Sequence, residues 1–358
     1  SLTRPRQAGE PFPATPAPPP TMLVRGLPIP GYAGLRFGLP ARRLLLRQWR
    51  AERPDVVQVV TEGPLGASAV SAARELGIPV VSEFHTNFHS YSRHYGFAWL
   101  EGLVALHLRR LHNRSRITLV PSRQLGVDLG HKGYRNLRVV ARGVDTNMFN
   151  PARRNPGLRA VWKVAEHDLV VAYVGRVAPE KNLSLVLSTF EAICRHVPGA
   201  RLLFVGDGPE RARLQAEHPQ HIFAGMRHGE DLARHYASAD LFLFPSMTDT
   251  YGNVTLEALA SGLPVVAYRM AAAAELVRHG SNGMLAEPGA GDQFERAALD
   301  LVTRPGARRR AASAAPCSVA MLDWDSIHDQ LEAALREAIA GAAQPVDGDS
   351  ALQVFAGR

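Results

Sequence analysis

Residues 170–266 constrain the fold more than any other part of the chain, because short apolar runs there end repeatedly in loops marked by glycine or acid. The runs fall at 169–174, 201–205, 221–223, 241–244 and 264–267, each of strand length, with helical patterns between them. Leu183, Val186, Leu187 and Phe190 show the i, i+3, i+4, i+7 spacing of one buried helix face. Unbroken apolar strands alternating with amphipathic helices predict a parallel sheet covered on both faces. The loops read Gly175-Arg176 with Glu180-Lys181, then Gly206-Asp207-Gly208-Pro209, then Gly225, then a segment running from Asp249 through Tyr251, Gly252, Asn253 and Val254 to Glu257.

The first half repeats the alternation. An amphipathic helix at 41–52 leads into the apolar run 56–60, Gly63-Pro64 opens a helix to Glu75, and Gly77 ends it before a strand at 78–82. A helix at 99–111 and strands at 117–120 and 137–140 follow. The expected class is therefore α/β, two doubly wound Rossmann-like domains. The expected division is a proline-rich disordered segment at 1–22, an N-terminal domain at 23–160, a C-terminal domain at 161–340 and a flexible tail at 341–358.

At 358 residues and 46% hydrophobic composition, each of two domains can bury a core. No apolar run approaches the ~18 residues of a membrane span, and no charged-then-apolar leader opens the chain. The sequence reads as cytoplasmic, with peripheral contact at the inner face of the membrane as an additional reading. Cys194 and Cys317 form no Cys-x-x-Cys pair and are expected as reduced thiols. Charge is divided: residues 1–165 carry 24 Lys+Arg against 9 Asp+Glu, a net of +15, while 166–358 carry 17 against 24, a net of −7. A basic half attracts phosphates, nucleic acid or an anionic membrane. Because every basic residue except Lys132, Lys163 and Lys181 is arginine, genome composition accounts for the asymmetry equally well.

Open parallel sheets bind ligands beyond the carboxyl ends of their strands, where all these loops sit. Arg176 and Lys181 lie five positions apart across one turn and can aim both cations at a diphosphate, the Arg as a fork and the Lys as a point charge. Gly252, Asn253 and Val254 open a helix whose free amides suit an anion. Glu257, one turn inside, can accept hydrogen bonds from the vicinal hydroxyls of a ribose, and Asp249 can reach a second, transferred sugar. The bland readings are a solvated surface cation for Arg176 or Lys181 and a helix-dipole partner for Glu257. Their convergence favours transfer of a sugar from a nucleotide over dehydrogenase or kinase chemistry. Asp323-Trp324-Asp325 reads as a helix cap and Asp347-Gly348-Asp349 as tail, so neither a metal nor a cofactor is expected. Residues 85–99 interleave His85, His89, Arg93 and His94 with Phe88, Tyr91, Tyr95, Phe97 and Trp99, a pattern suited to an acceptor site or lipid headgroup. Core packing and nucleic acid are the alternatives, the latter disfavoured.

The block from Gly175-Arg176 to Glu257, followed by Ala258-Leu259-Ala260-Ser261-Gly262-Leu263-Pro264, resembles the retaining family 4 glycosyltransferases, which have the GT-B fold of two Rossmann-like domains facing a cleft. Thr61-Glu62-Gly63-Pro64-Leu65-Gly66, Phe84-His85-Thr86-Asn87-Phe88 and Arg142-Gly143-Val144-Asp145-Thr146 are similar to the branch with GDP-mannose-dependent α-mannosyltransferases and sulfoquinovosyl or glucosyl lipid synthases. The resemblance implies a hexose, mannose or glucose-like, moved from a GDP or UDP sugar to a lipid or glycan acceptor. It implies catalytic roles for His85, Arg176, Lys181 and Asp249. It implies a donor site of Gly175, Arg176, Lys181, Gly206, Asp207, Gly225, Met226, Arg227, Asp249, Tyr251, Gly252, Asn253, Val254 and Glu257. Diphosphate would fall to Arg176 and Lys181, ribose to Glu257, the sugar to Asp249 and the amides of 251–254, the base to residues 224–227, and His85 would face the sugar. Departure of the diphosphate with retention places growing negative charge at Arg176, Lys181 and the helix amides, and the β-phosphate would take the acceptor proton. Two departures stand out: Asp249 replaces the usual Glu, and the family's first strand, glycine-rich loop and helix are not recognisable, so a truncated N-terminus is expected. A sugar-nucleotide epimerase of the same fold and a non-catalytic nucleotide-binding fragment are the alternative functions.

Overall fold

A computed structural model describes residues 2–5, 21–28, 36–84 and 101–341. The described residues divide into two compact units, the first comprising those up to 140 together with 330–341, the second 141–329.

In the first unit, β1 (Leu2–Pro5) pairs in parallel with β2 (Thr21–Val24), and β3 (Gly26–Pro28) pairs antiparallel with β4 (Arg36–Gly38). The expectation that 1–22 is unstructured is thus corrected at Leu2–Pro5: extended, proline-bounded residues need only a partner with free backbone groups to become a strand, and Thr21–Val24 supplies it. A separate parallel sheet holds β5 (Val57–Val59), β6 (Val80–Glu83), β7 (Ile117–Val120) and β8 (Leu137–Val139) in chain order. Helix Arg42–Ala51 buries Leu45, Leu46 and Trp49 against Val57, Val59, Val70 and Val80. Ala334 and Ala338 of the C-terminal helix Trp324–Ala340 pack with Val81, Ile117 and Leu119.

The second unit holds a six-stranded parallel sheet: β9 (Val170–Val174), β10 (Arg201–Val205), β11 (Ile222–Gly225), β12 (Leu241–Phe244), β13 (Val265–Tyr268) and β14 (Gly283–Ala286), in the order β11-β10-β9-β12-β13-β14. Strand β14 has no counterpart in the sequence reading. It opens on a glycine, which carries no strand signal, and its place depends on Gly283, where a Cβ would lie 2.3 Å from the Val265 carbonyl oxygen.

The boundary falls at 140/141 rather than at 160, and the chain returns to the first unit at Gln330. Arg159 is the physical reason for the earlier crossing. It is 1% exposed, and its guanidinium donates to the carbonyls of Ser238 (2.8 Å), Ala165 (2.7 Å) and Asp168 (2.7 Å) and to Asp240 Oδ2 (3.2 Å). Those bonds lock helix Pro156–Val161 onto the second unit.

Candidate functional site

The candidate site forms within the second unit, where the strand order reverses. From β9 the chain proceeds to β10 on one side, whereas β12 lies on the other and leads on to β13. At such a reversal the connections leave in opposite directions and open a crevice beyond the strand ends. Residues 175–181 leave β9 and residues 245–257 leave β12.

The loops at this edge are laced together by backbone hydrogen bonds. Gly175 N donates to the Val205 carbonyl (2.9 Å), Val177 N to Asp207 (3.0 Å) and Gly206 N to Gly225 (2.9 Å). Such closeness requires glycine: a Cβ on Gly206, whose φ is +133°, would lie 2.0 Å from the Gly175 carbonyl oxygen, and one on Gly208 2.3 Å from that of Val177. Beneath, Tyr173 donates its hydroxyl to the Arg176 carbonyl at 2.9 Å.

Across the reversal, Lys181 meets Asp249. The ammonium lies 2.9 Å from each Asp249 oxygen. Lys181 is 7% exposed, so the pair is shielded on the lysine side and reaches solvent through the carboxylate. Arg176 stands 3.4 Å from Glu180, itself buried. Helix Asn253–Ala260 begins at Gly252 (φ +88°) without a side-chain cap; Thr255 N turns back to the Gly252 carbonyl at 2.9 Å, and the amides of Asn253 and Val254 stand at the helix end that suits an outside acceptor. One turn on, Tyr236 donates its hydroxyl to Glu257 Oε2 at 2.8 Å. Burial raises the Glu257 carboxyl above the usual range, and the Tyr236 hydrogen bond opposes that shift.

Apart from His85, the sequence-derived set is brought to the carboxyl ends of one sheet's strands, with different surroundings for its members. Asp207 turns onto its own loop, accepting from Gly208 N (2.8 Å) and Arg211 (3.2 Å). Arg227 folds back on the Ala224 carbonyl (2.9 and 2.7 Å) and Asp231 (3.1 Å), while Met226 beside it is 55% exposed. Tyr251 is buried, and its carbonyl accepts from Ala272 N at 2.9 Å. His85 and the aromatic-basic segment 85–99 lie outside the described residues. Tyr173 and Tyr236 were missed by the sequence reading, and Glu180, named there beside Lys181, was given no role of its own. Tyr173 inside an apolar strand run and Tyr236 on a helix carry no signal beyond core packing, and Glu180 reads as a surface acid until its 5% exposure is known.

Asp323 accepts from Ser326 N at 2.7 Å, the helix-capping geometry; Asp347 and Asp349 lie outside the described residues. Among the described residues no group of three or more His, Cys, Asp or Glu is placed to hold a metal ion, and no helix is long and apolar enough to cross a membrane.

Two family models match. That described as "Glycosyl transferases group 1" covers residues 168–304, and "Glycosyltransferase Family 4" covers 7–148. The chain is 35% identical over 303 residues to a GDP-mannose-dependent alpha-mannosyltransferase of Mycobacterium tuberculosis, covering 84% of this chain and 78% of that one. It is 33% identical over 274 residues to the sulfoquinovosyl transferase SQD2 of Arabidopsis thaliana, covering 74% of this chain and 53% of that longer protein. Among solved structures, Anabaena HepE in complex with UDP superimposes with a TM-score of 0.73 at 21% identity, covering 89% of this chain and 86% of that one. With its glycine-laced loops at a winding reversal and relatives matched along most of its length, the chain belongs to glycosyltransferase family 4 and is a glycosyltransferase of GT-B fold.

Proposed function

We propose that this glycosyltransferase moves a mannosyl or similar hexosyl unit from a nucleoside diphosphate sugar to a lipid or glycan hydroxyl, with retention of anomeric configuration. The observation carrying this reading is the Lys181–Asp249 pair, which joins the diphosphate cation and the sugar-binding acid across the reversal. Arg176 and Lys181 take the diphosphate, helped by the uncapped helix at Gly252, and Glu257 takes the ribose. Asp249 and the amides of 251–254 hold the transferred sugar, Gly206 lets the loops close beneath the donor, and Gly225, Met226 and Arg227 border the base. His85 is assigned to the acceptor side of the sugar.

As the glycosidic bond to the diphosphate breaks, its electron pair passes to the leaving β-phosphate oxygen, and Lys181 and Arg176 stabilise that charge. The same phosphate accepts the proton of the incoming hydroxyl. These cations supply what a divalent ion would otherwise supply, so the reaction is proposed to run without metal or cofactor. GDP-mannose is the first donor to test, because the relative from Mycobacterium tuberculosis bears it in its name. The excess of 24 Lys+Arg over 9 Asp+Glu in residues 1–165 supports work at the cytoplasmic face of an anionic membrane, where a lipid acceptor resides.

The deciding experiment is transfer from radiolabelled GDP-mannose or UDP-glucose to membrane lipids, with and without EDTA. Product should form from one donor, persist in chelator, and fall on the order of 10² to 10³ in Lys181→Ala. Wild-type turnover in Lys181→Ala, or loss of transfer in EDTA with rescue by manganese, overturns the assignment.

A further inference from the structure

We propose that Tyr236 is a positioning residue for donor binding: its buried hydroxyl fixes the Glu257 carboxylate so that the second carboxylate oxygen is presented to the ribose diol. The inference rests on the assignment of Glu257 to the ribose and adds the device that makes that glutamate competent.

A glutamate side chain has three rotatable bonds, and one that must accept from two vicinal hydroxyls gains from being held before the ligand arrives. Tyr236 supplies that hold. Its side chain is fully buried, and its ring meets Phe149 at 5.8 Å and 79° and Phe242 at 6.0 Å and 62°, both edge-on. Wedged between two rings, it keeps its hydroxyl at a fixed point, 2.8 Å from Glu257 Oε2. Glu257 Oε1 has no hydrogen-bond partner among the described residues. One oxygen is tied from below and the other is left for a ligand. The same bond favours the ionised carboxylate against the burial that disfavours it, and an ionised carboxylate accepts from both hydroxyls of a diol. Tyr173 is a second buried tyrosine under the site, but its hydroxyl serves the Arg176 carbonyl and so the diphosphate loop. The two tyrosines are equally buried, at 0% exposure, and differ in which part of the donor they support.

That difference supplies the test. Calorimetry on the full chain compares GDP and UDP, then pairs the tighter of the two with its 2′,3′-dideoxy form. Wild-type protein should bind the dideoxy nucleotide about tenfold to a hundredfold more weakly, the range for lost hydrogen bonds to a charged group. Tyr236→Phe, which keeps the ring, should weaken the parent nucleotide and bring the ratio close to one. In the transfer assay its donor KM should rise with kcat little changed. Tyr173→Phe should leave the ratio as in wild type, which excludes a general response to losing a buried hydroxyl. A wild-type ratio retained in Tyr236→Phe but abolished in Glu257→Ala overturns the positioning role and leaves the ribose assignment standing. A ratio near one in wild type, a ratio that survives Glu257→Ala, or no binding of either nucleotide overturns both.

Discussion

In the second unit the strand order reverses between β9 and β12, whereas in the first unit β5, β6, β7 and β8 lie side by side in chain order. The difference shows in what polar side chains do. At the reversal, Lys181 and Asp249 pair across the loops that leave β9 and β12, and Glu257 stands one turn into the helix that follows. In the first unit a polar cluster faces inward: Ser82 Oγ lies 2.9 Å from His112 Nδ1 and 3.2 Å from Thr118 Oγ1, all fully buried. Charge differs too, with the basic excess in the first half and the acidic one in the second. A Rossmann-like sheet is thus not in itself a ligand site. A reversal in the winding lets strand-end loops converge on one crevice, and among the described residues the first unit's sheet has none.

The sharpest way to break this comparison is to detach the second unit from the segment that ties it. Arg159→Met removes a buried guanidinium from four carbonyls and Asp240 and should cost about 3–5 kcal/mol of stability in urea denaturation. Hydrogen exchange should show the loss in 141–329 rather than in 36–84, and uniform loss would mean the units do not unfold separately. Next comes the inward network of the first unit. Ser82→Ala leaves His112 Nδ1 buried without its partner and should cost roughly 1–3 kcal/mol, while nucleotide affinity stays as in wild type. A matching fall in affinity would show that the first unit's core supports the donor site directly.

The last expected effect is one of pH, and partial exposure of the ring screens it. His221 is pushed down to about 4 by burial and by His218, from an ordinary 6.5. The unfolded chain therefore binds a proton that the folded chain refuses between those values. Stability is fully present above 6.5 and declines as pH falls toward 4. Replacing His221, which sits edge-on to Phe190 at 5.2 Å, by Phe should flatten the melting temperature of the second unit across that window. An unchanged slope would assign the acid sensitivity elsewhere.

Within the fold, strand and helix identity was legible wherever the apolar pattern was long enough. Runs 117–120, 201–205 and 241–244 are the strands Ile117–Val120, Arg201–Val205 and Leu241–Phe244, and the run 56–60 shrinks to Val57–Val59 because pairing with β6 reaches no further. The four-residue β14 was not legible, since Gly283 carries no strand signal and only the nearness of Val265 places it. Nor was the domain boundary, because Arg159 reads as one more surface arginine until its partners are in view.

The sequence by itself determined the chemistry available at the strand ends: which loops carry glycine, which carry Arg176, Lys181, Asp249 and Glu257, and that parallel strands would bring them to one edge. These are properties of residue type and spacing, and local periodicity encodes them. Tertiary structure alone decided that Lys181 pairs with Asp249 from 68 positions away, that Asp207 and Arg227 turn back on their own loops, and that Tyr236 stands beneath Glu257. Each depends on which strands become neighbours in the sheet, and that follows from burying a shared core, a sum over many distant residues that no local pattern contains.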